Sequence, residues 1–119
     1  MSFIEKALSM TSEDKIQYIF NSLNVYSKKY IENIKYLFYK DPSPIVRHEA
    51  AYIFGKLKDK ECSSSLLEVI NNDNNRFVVH EALLALSNRG DIQYESEIEK
   101  LTIHSDEDVA DTANYHCKD

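Results

Sequence analysis

Histidine followed by glutamate can bind a metal or move a proton, and this chain carries the pair twice in one local frame. His48-Glu49 lies within Val46-Arg47-His48-Glu49-Ala50-Ala51-Tyr52-Ile53-Phe54-Gly55. His80-Glu81 follows 32 residues later, within Val78-Val79-His80-Glu81-Ala82-Leu83-Leu84-Ala85-Leu86-Ser87. Apolar residues align in register between the copies, and each frame ends on a small residue. Two imidazoles from equivalent positions on neighbouring helices about 8–10 Å apart can reach a common point and bind a metal at about 2.0–2.1 Å. Two histidines and a carboxylate with open positions form a ligand set suited to ferrous iron that activates oxygen. A second carboxylate beside it can orient a ligand or hold a cationic substrate. No cysteine is placed to compete, which argues against structural zinc. The plain alternative is a solvated His-Glu pair with no task; repetition in identical register favours a site, because titratable groups clustered on one face often mark function.

The elements that must deliver these pairs follow from the repeat. Moving the frame back by 32 residues reaches Ile16-Gln17, and moving it forward by 31 reaches Asp111-Thr112, so four frames fit and only the middle two carry His-Glu. Partner helices are expected between them, over Ser27–Phe38, Glu61–Ile70 and Ile92–Ile103, each with apolar residues at helical spacing. Asp91 after Gly90 reads as an N-cap. Pro44 is tolerated in a first helical turn, so Asp41-Pro42-Ser43-Pro44 starts the first His-Glu helix. The polar run Asn71–Asn75 precedes the second. Two helices per 31–32 residues predict an all-α, HEAT-like α-solenoid of about four helical hairpins, with residues 1–119 as one domain.

On a helical wheel, Val46, Ala50, Ile53 and Leu57 form one stripe, and Val78, Ala82 and Ala85 its equivalent. His48 then lies away from the core with Tyr52 and Gly55, and Glu49 lies between the two faces. His80, Leu84 and Ser87 repeat this, with Gly55 and Ser87 expected to clear space beside each histidine. Tyr52 is the tyrosine expected near the site. His104, His116, Arg47 and Arg89 read as surface residues, and Ser63-Ser64-Ser65 as a helix start with no base to make it a nucleophile.

Composition bounds the function. A net charge of −6 offers no basic stripe for nucleic acid and favours cationic partners. No apolar run approaches the ~20 residues that span a bilayer, and the N-terminus lacks a secretion-signal pattern. Cys62 and Cys117, isolated in sequence, suit reduced thiols in a cytoplasmic protein, with a single disulfide between them left open.

From Asp41 onward the chain resembles deoxyhypusine hydroxylase, a HEAT-repeat di-iron monooxygenase. The resemblance rests on Ser43–Gly55, Val79-His80-Glu81-Ala82, Leu86, Gly90-Asp91, Ser105-Asp106 and Val109–Thr112; the first forty residues fit less specifically, through Ile19-Phe20-Asn21. That family carries two related halves, each with two His-Glu pairs, and this chain is similar to one half. The resemblance implies that His48, His80 and Glu81 ligate Fe(II), one per chain, with Glu49 as the catalytic, non-ligand carboxylate near substrate. It implies hydroxylation of the deoxyhypusine side chain of a translation factor, and a di-iron centre only if a homodimer restores the missing half. In the second copy, Ser87 stands where the family has glycine, and Leu83-Leu84 replaces small residues. The competing expectation is a non-catalytic HEAT-repeat adaptor that grips a protein partner on its concave face.

Overall fold

The computed structural model describes residues 2–25, 27–101 and Ala110. Among them the chain is all helical: α1 (Phe3–Ser9), α2 (Ser12–Asn21), α3 (Lys28–Lys40), α4 (Pro44–Phe54), α5 (Glu61–Asn72), α6 (Arg76–Arg89) and α7 (Glu95–Lys100), the last entered through a 3-10 turn over Ile92–Tyr94. Helix α4 packs on α2, α3 and α6, and α5 packs on α6. The inner row is therefore α2, α4 and α6, with α3 and α5 outside it: an α-solenoid.

Local chemistry sets the helix starts. Thr11 and Asp14 form a reciprocal capping box at α2, Ser27 caps α3, and the Asn75 side chain accepts from Phe77 and Val78 at α6. Pro44 begins α4, as the sequence predicts. Three connections use the same aspartate turn. The carboxylates of Asp41, Asp59 and Asp73 accept from the backbone N–H two residues ahead, at 3.0, 2.8 and 2.9 Å. Gly90, at φ +68°, ends α6 in the left-handed conformation that glycine adopts without a Cβ penalty.

The expected stripe on α4 and α6 is buried, and burial extends further than predicted, to Ala51, Phe54, Val79, Leu83 and Leu86. An inner helix touches a neighbour on each side as well as its outer partner, so its apolar sector is wider than that of a surface helix. Phe38 of α3 meets Phe54 of α4 edge to face, with centroids 5.3 Å apart. At the first hairpin, Tyr18 stacks on Tyr30 at 4.3 Å, and the Tyr30 hydroxyl donates to the Tyr18 carbonyl.

Several expectations are corrected. Residues 3–9 form a helix that the repeat frame did not mark; Ser2 caps it and Ala7 is its buried residue. The third partner element, expected over Ile92–Ile103, opens with a 3-10 turn before α7; residues 102 and 103 and the fourth frame at Asp111-Thr112 lie outside the described residues. Asp91 makes no cap bond; its carboxylate accepts from Ser63 and Arg89 instead. Ser63 thus belongs to a latch between α5 and the end of α6.

Arg47 and Arg89 are not surface residues. Arg47 binds Asp73 through Nε at 2.8 Å and Nη2 at 3.3 Å, and donates to the Asp41 carbonyl. Arg89, 7% exposed, donates to the carbonyls of Phe54, Leu57 and Asp59 and to Ser63. Lys15 stands one repeat before Arg47 and pairs with Asp41 at 2.6 Å. In both repeats, then, a cation on the inner helix reaches forward to the next turn's aspartate. Position 79, where the next cation would stand, is valine.

Candidate metal centre

The site is built on α4 and α6, and helix periodicity decides what surrounds it. Ile45, His48, Glu49, Tyr52 and Lys56 follow at i, i+3, i+4, i+7 and i+11 on one face of α4 and its end. Phe77, His80, Glu81, Leu84 and Asn88 repeat that order on α6. The two helices lie side by side in the inner row, so the His-Glu pairs form a polar row. Ile45 and Phe77 flank it on the N-terminal side, and Tyr52 and Leu84 on the C-terminal side.

Within this row the His48 ring faces two carboxylates, one from each repeat. Its Nδ1 lies 3.7 Å from Glu49 Oε1 and its Nε2 lies 3.9 Å from Glu81 Oε2. His48 is 38% exposed and Glu81 19% exposed, so both are open to a ligand yet partly shielded from water. His80 holds the register position of His48 one repeat on and is half-buried. The structure thus brings His48, Glu49 and Glu81 to one place. As the side chains stand, no three His, Cys, Asp or Glu residues among those described form a group that could hold a metal ion.

One pair of donor atoms nevertheless lies within reach of a single ion. Two atoms bound to the same ion at ~2.0–2.2 Å can be no further apart than about 4.2 Å, and the Nε2–Oε2 separation of 3.9 Å lies inside that limit. Imidazole nitrogen with carboxylate oxygen is also the donor chemistry that ferrous iron takes.

Gly55 has a different role from the one its size suggested. A Cβ there would stand 2.8 Å from the Ala85 Cβ and 3.1 Å from its Cα. Gly55 is small because α4 ends against α6, not to clear space beside His48. Ser87, its counterpart on α6, has a buried Oγ with no hydrogen-bond partner among the described residues. Next to the Gly55–Ala85 contact, Tyr52, Gly55, Lys56, Glu81, Leu84, Ala85 and Asn88 line a cavity of about 110 Å³. Tyr52 is therefore beside the site, as expected. Its ring packs near Phe20 with centroids 6.2 Å apart, and Lys56 Nζ lies 5.3 Å from its centroid.

Other candidates separate from this centre. Cys62 is a buried free thiol, pushed up to about 12 by burial above all, which keeps it protonated near neutral pH. His104, His116 and Cys117 lie outside the described residues. No helix among the described residues is long and apolar enough to cross a membrane.

Comparison with known proteins agrees with this architecture. A family model for HEAT repeats matches residues 32–115. Over 61 residues the chain is 43% identical to a deoxyhypusine hydroxylase of Candida albicans, covering 49% of this chain and 19% of that protein. Over 71 residues it is 37% identical to a deoxyhypusine hydroxylase of Aspergillus niger, covering 59% and 21%. A Debaryomyces hansenii protein of the same name is 39% identical over 54 residues, covering 44% and 17%. These matches span only about a fifth of the relatives' own length. No solved structure matches the chain.

Proposed function

This chain belongs to the HEAT-repeat family, and from that premise we propose that it is a deoxyhypusine hydroxylase-like iron protein whose centre lies between α4 and α6. The observation that carries this reading is the position of His48 Nε2, 3.9 Å from a carboxylate of the next repeat. His48, His80 and Glu81 would hold Fe(II), one per chain. Bound there, ferrous iron supplies the activation of dioxygen.

The chain's own residues do the rest. Glu49, 3.7 Å from Nδ1 of His48, would face that ring and offer a carboxylate to a cationic side chain. The walls formed by Tyr52 and Leu84 give an alkyl stem an apolar surface beside it. The names of the matched relatives suggest the substrate, a deoxyhypusine side chain, which the family resemblance puts on a translation factor, and the net charge of −6 favours encounter with such a cation. A di-iron centre would require a homodimer, in which an isologous contact repeats the same patch on both subunits.

The test is metal analysis after anaerobic Fe(II) loading and desalting. The wild type should retain about one iron per chain, and His48→Ala and His80→Ala should each lose it. Equal retention by all three would sink the assignment. A non-catalytic adaptor that grips a protein partner on its concave face is the second reading; it expects no iron and tolerance of both substitutions.

A further inference from the structure

A second cleft, of about 200 Å³, lies on the outer row of the solenoid. It shares no lining residue with the cavity beside Tyr52. Lys28 and Lys35 of α3 pair with Glu61 at the start of α5; the cleft lies further along, between the C-terminal halves of the two helices. Phe38 and Val69, both buried, form its base. Tyr39, 37% exposed, adds an aromatic wall.

The charges around this base are incompletely matched. Asp73, at one end, is already bound to Arg47. Lys40 stands in the last turn of α3, where the C-terminal carbonyls attract an ammonium. Glu68 comes from the facing helix α5. Lys40 and Glu68 both line the cleft, yet neither forms an ion pair with the other or with any other described residue. Asn72 uses its amide nitrogen on Glu68, donating to the backbone carbonyl at 2.8 Å and to Oε1 at 3.1 Å. That leaves Glu68 Oε2 and the Asn72 side-chain oxygen as two acceptors without a hydrogen. One wall therefore presents an ammonium, the other presents a pair of acceptors, and the surface between them is apolar.

We propose that this cleft binds a free amino acid with an apolar side chain. The ligand's carboxylate meets Lys40, its ammonium meets Glu68 and Asn72, and its side chain lies against Tyr39 and Val69. An apolar pocket with a few convergent polar groups is the usual form of a small-molecule site, and drug-sized ligands take about 300–1,000 Å³. A cleft of about 200 Å³ suits something smaller. A ligand with one charge would leave the opposite wall facing an apolar group, whereas a zwitterion makes a charge-assisted hydrogen bond at each wall. The site is independent of the metal reading, and neither outcome below bears on iron binding.

NMR titration of the isotope-labelled full chain with L-phenylalanine, phenethylamine and hydrocinnamate tests this. The three share one body and carry both charges, the cation alone or the anion alone. L-Phenylalanine should bind with a dissociation constant on the order of 1 mM, as befits a small ligand in an open cleft. It should move the backbone amides of Tyr39, Lys40, Glu68 and Asn72, and bind about tenfold tighter than either of the other two. Lys40→Gln should abolish the preference over phenethylamine and keep that over hydrocinnamate; Glu68→Gln should do the reverse. Both side chains are exposed, and an unchanged amide spectrum away from the cleft verifies that each variant is folded. L-Leucine with isoamylamine and isocaproate gives the same comparison for a smaller body. Equal binding of all three members in both sets, preferences unaltered in the variants, or no movement of these amides with either amino acid at tens of millimolar overturns the proposal.

Discussion

At the scale of single residues, the ionic contacts of this chain lie mainly between repeats and have a defined pH signature. The Lys35 ammonium, hydrogen-bonded to Glu61 across α3 and α5, holds the Glu61 carboxyl below the usual carboxylate range, and the pairing raises Lys35 in turn. Asp91 is likewise lowered, first by the Ser63 hydroxyl and then by Arg89. A carboxyl depressed in the fold stabilises it above its unfolded pKa, and that contribution is lost as pH falls through the lower folded value. Lys35 has the opposite sign: its contribution is present below its unfolded pKa and is lost as pH rises through the raised folded value. Stability should therefore be flat from about pH 5 to 8 and fall on both sides, the alkaline fall beginning with the buried Cys62 thiol, which ionises in the unfolded chain near its ordinary value of about 8.5 but not in the fold. Urea unfolding across that range checks this, and in Glu61→Gln both slopes should be shallower. Because these groups are partly exposed, screening by salt should reduce the effect.

At the scale of elements, the contact between the end of α4 and the middle of α6 determines how the site is held. Gly55 has ordinary helical backbone angles, so its requirement is space against Ala85 and not conformation. Gly55→Ala should destabilise the fold by about 1–3 kcal/mol through overpacking and, at the proposed metal centre, weaken Fe(II) retention by spreading His48 from Glu81. Gly55→Ala with Ala85→Gly should restore both, as measured by chemical denaturation and metal analysis. Sequence periodicity read these elements well wherever apolar residues recur on one face, as on α3, α4, α5 and α6. It missed α1, whose only buried residue is Ala7, because a helix with one buried position has no stripe to see. It did not mark the 3-10 turn that opens the element after Gly90, because apolar spacing does not distinguish a 3-10 turn from an α-helical one. The His-Glu pairing across repeats was legible in the 32-residue period. The meaning of Gly55 was not, because the atom it avoids belongs to a residue 30 positions away.

At the scale of the whole molecule, the solenoid is held by a forward-reaching set of ion pairs in addition to its apolar core. Lys15 reaches Asp41 and Arg47 reaches Asp73, each cation mostly buried. Removing one partner leaves the other charge poorly solvated, so Asp73→Ala should cost about 2–3 kcal/mol. A circular-dichroism melt or denaturant titration would read this as a lower midpoint, and Arg47→Met with Asp73→Leu should recover part of it. Neither arginine could be placed from sequence alone. An arginine beside a candidate ligand looks like surface charge until the aspartate of the following turn is known to fold over it.

The meeting point of Gly55 and Ala85 has one more consequence. Two packed rods pressed apart at one contact shift in spacing beyond it. His48-Glu49 and His80-Glu81 sit partway along those rods, with Ile45 and Phe77 at the tips. The spacing of the inner face can accordingly be tuned by a single methyl group at Gly55, without touching any side chain of the His-Glu row.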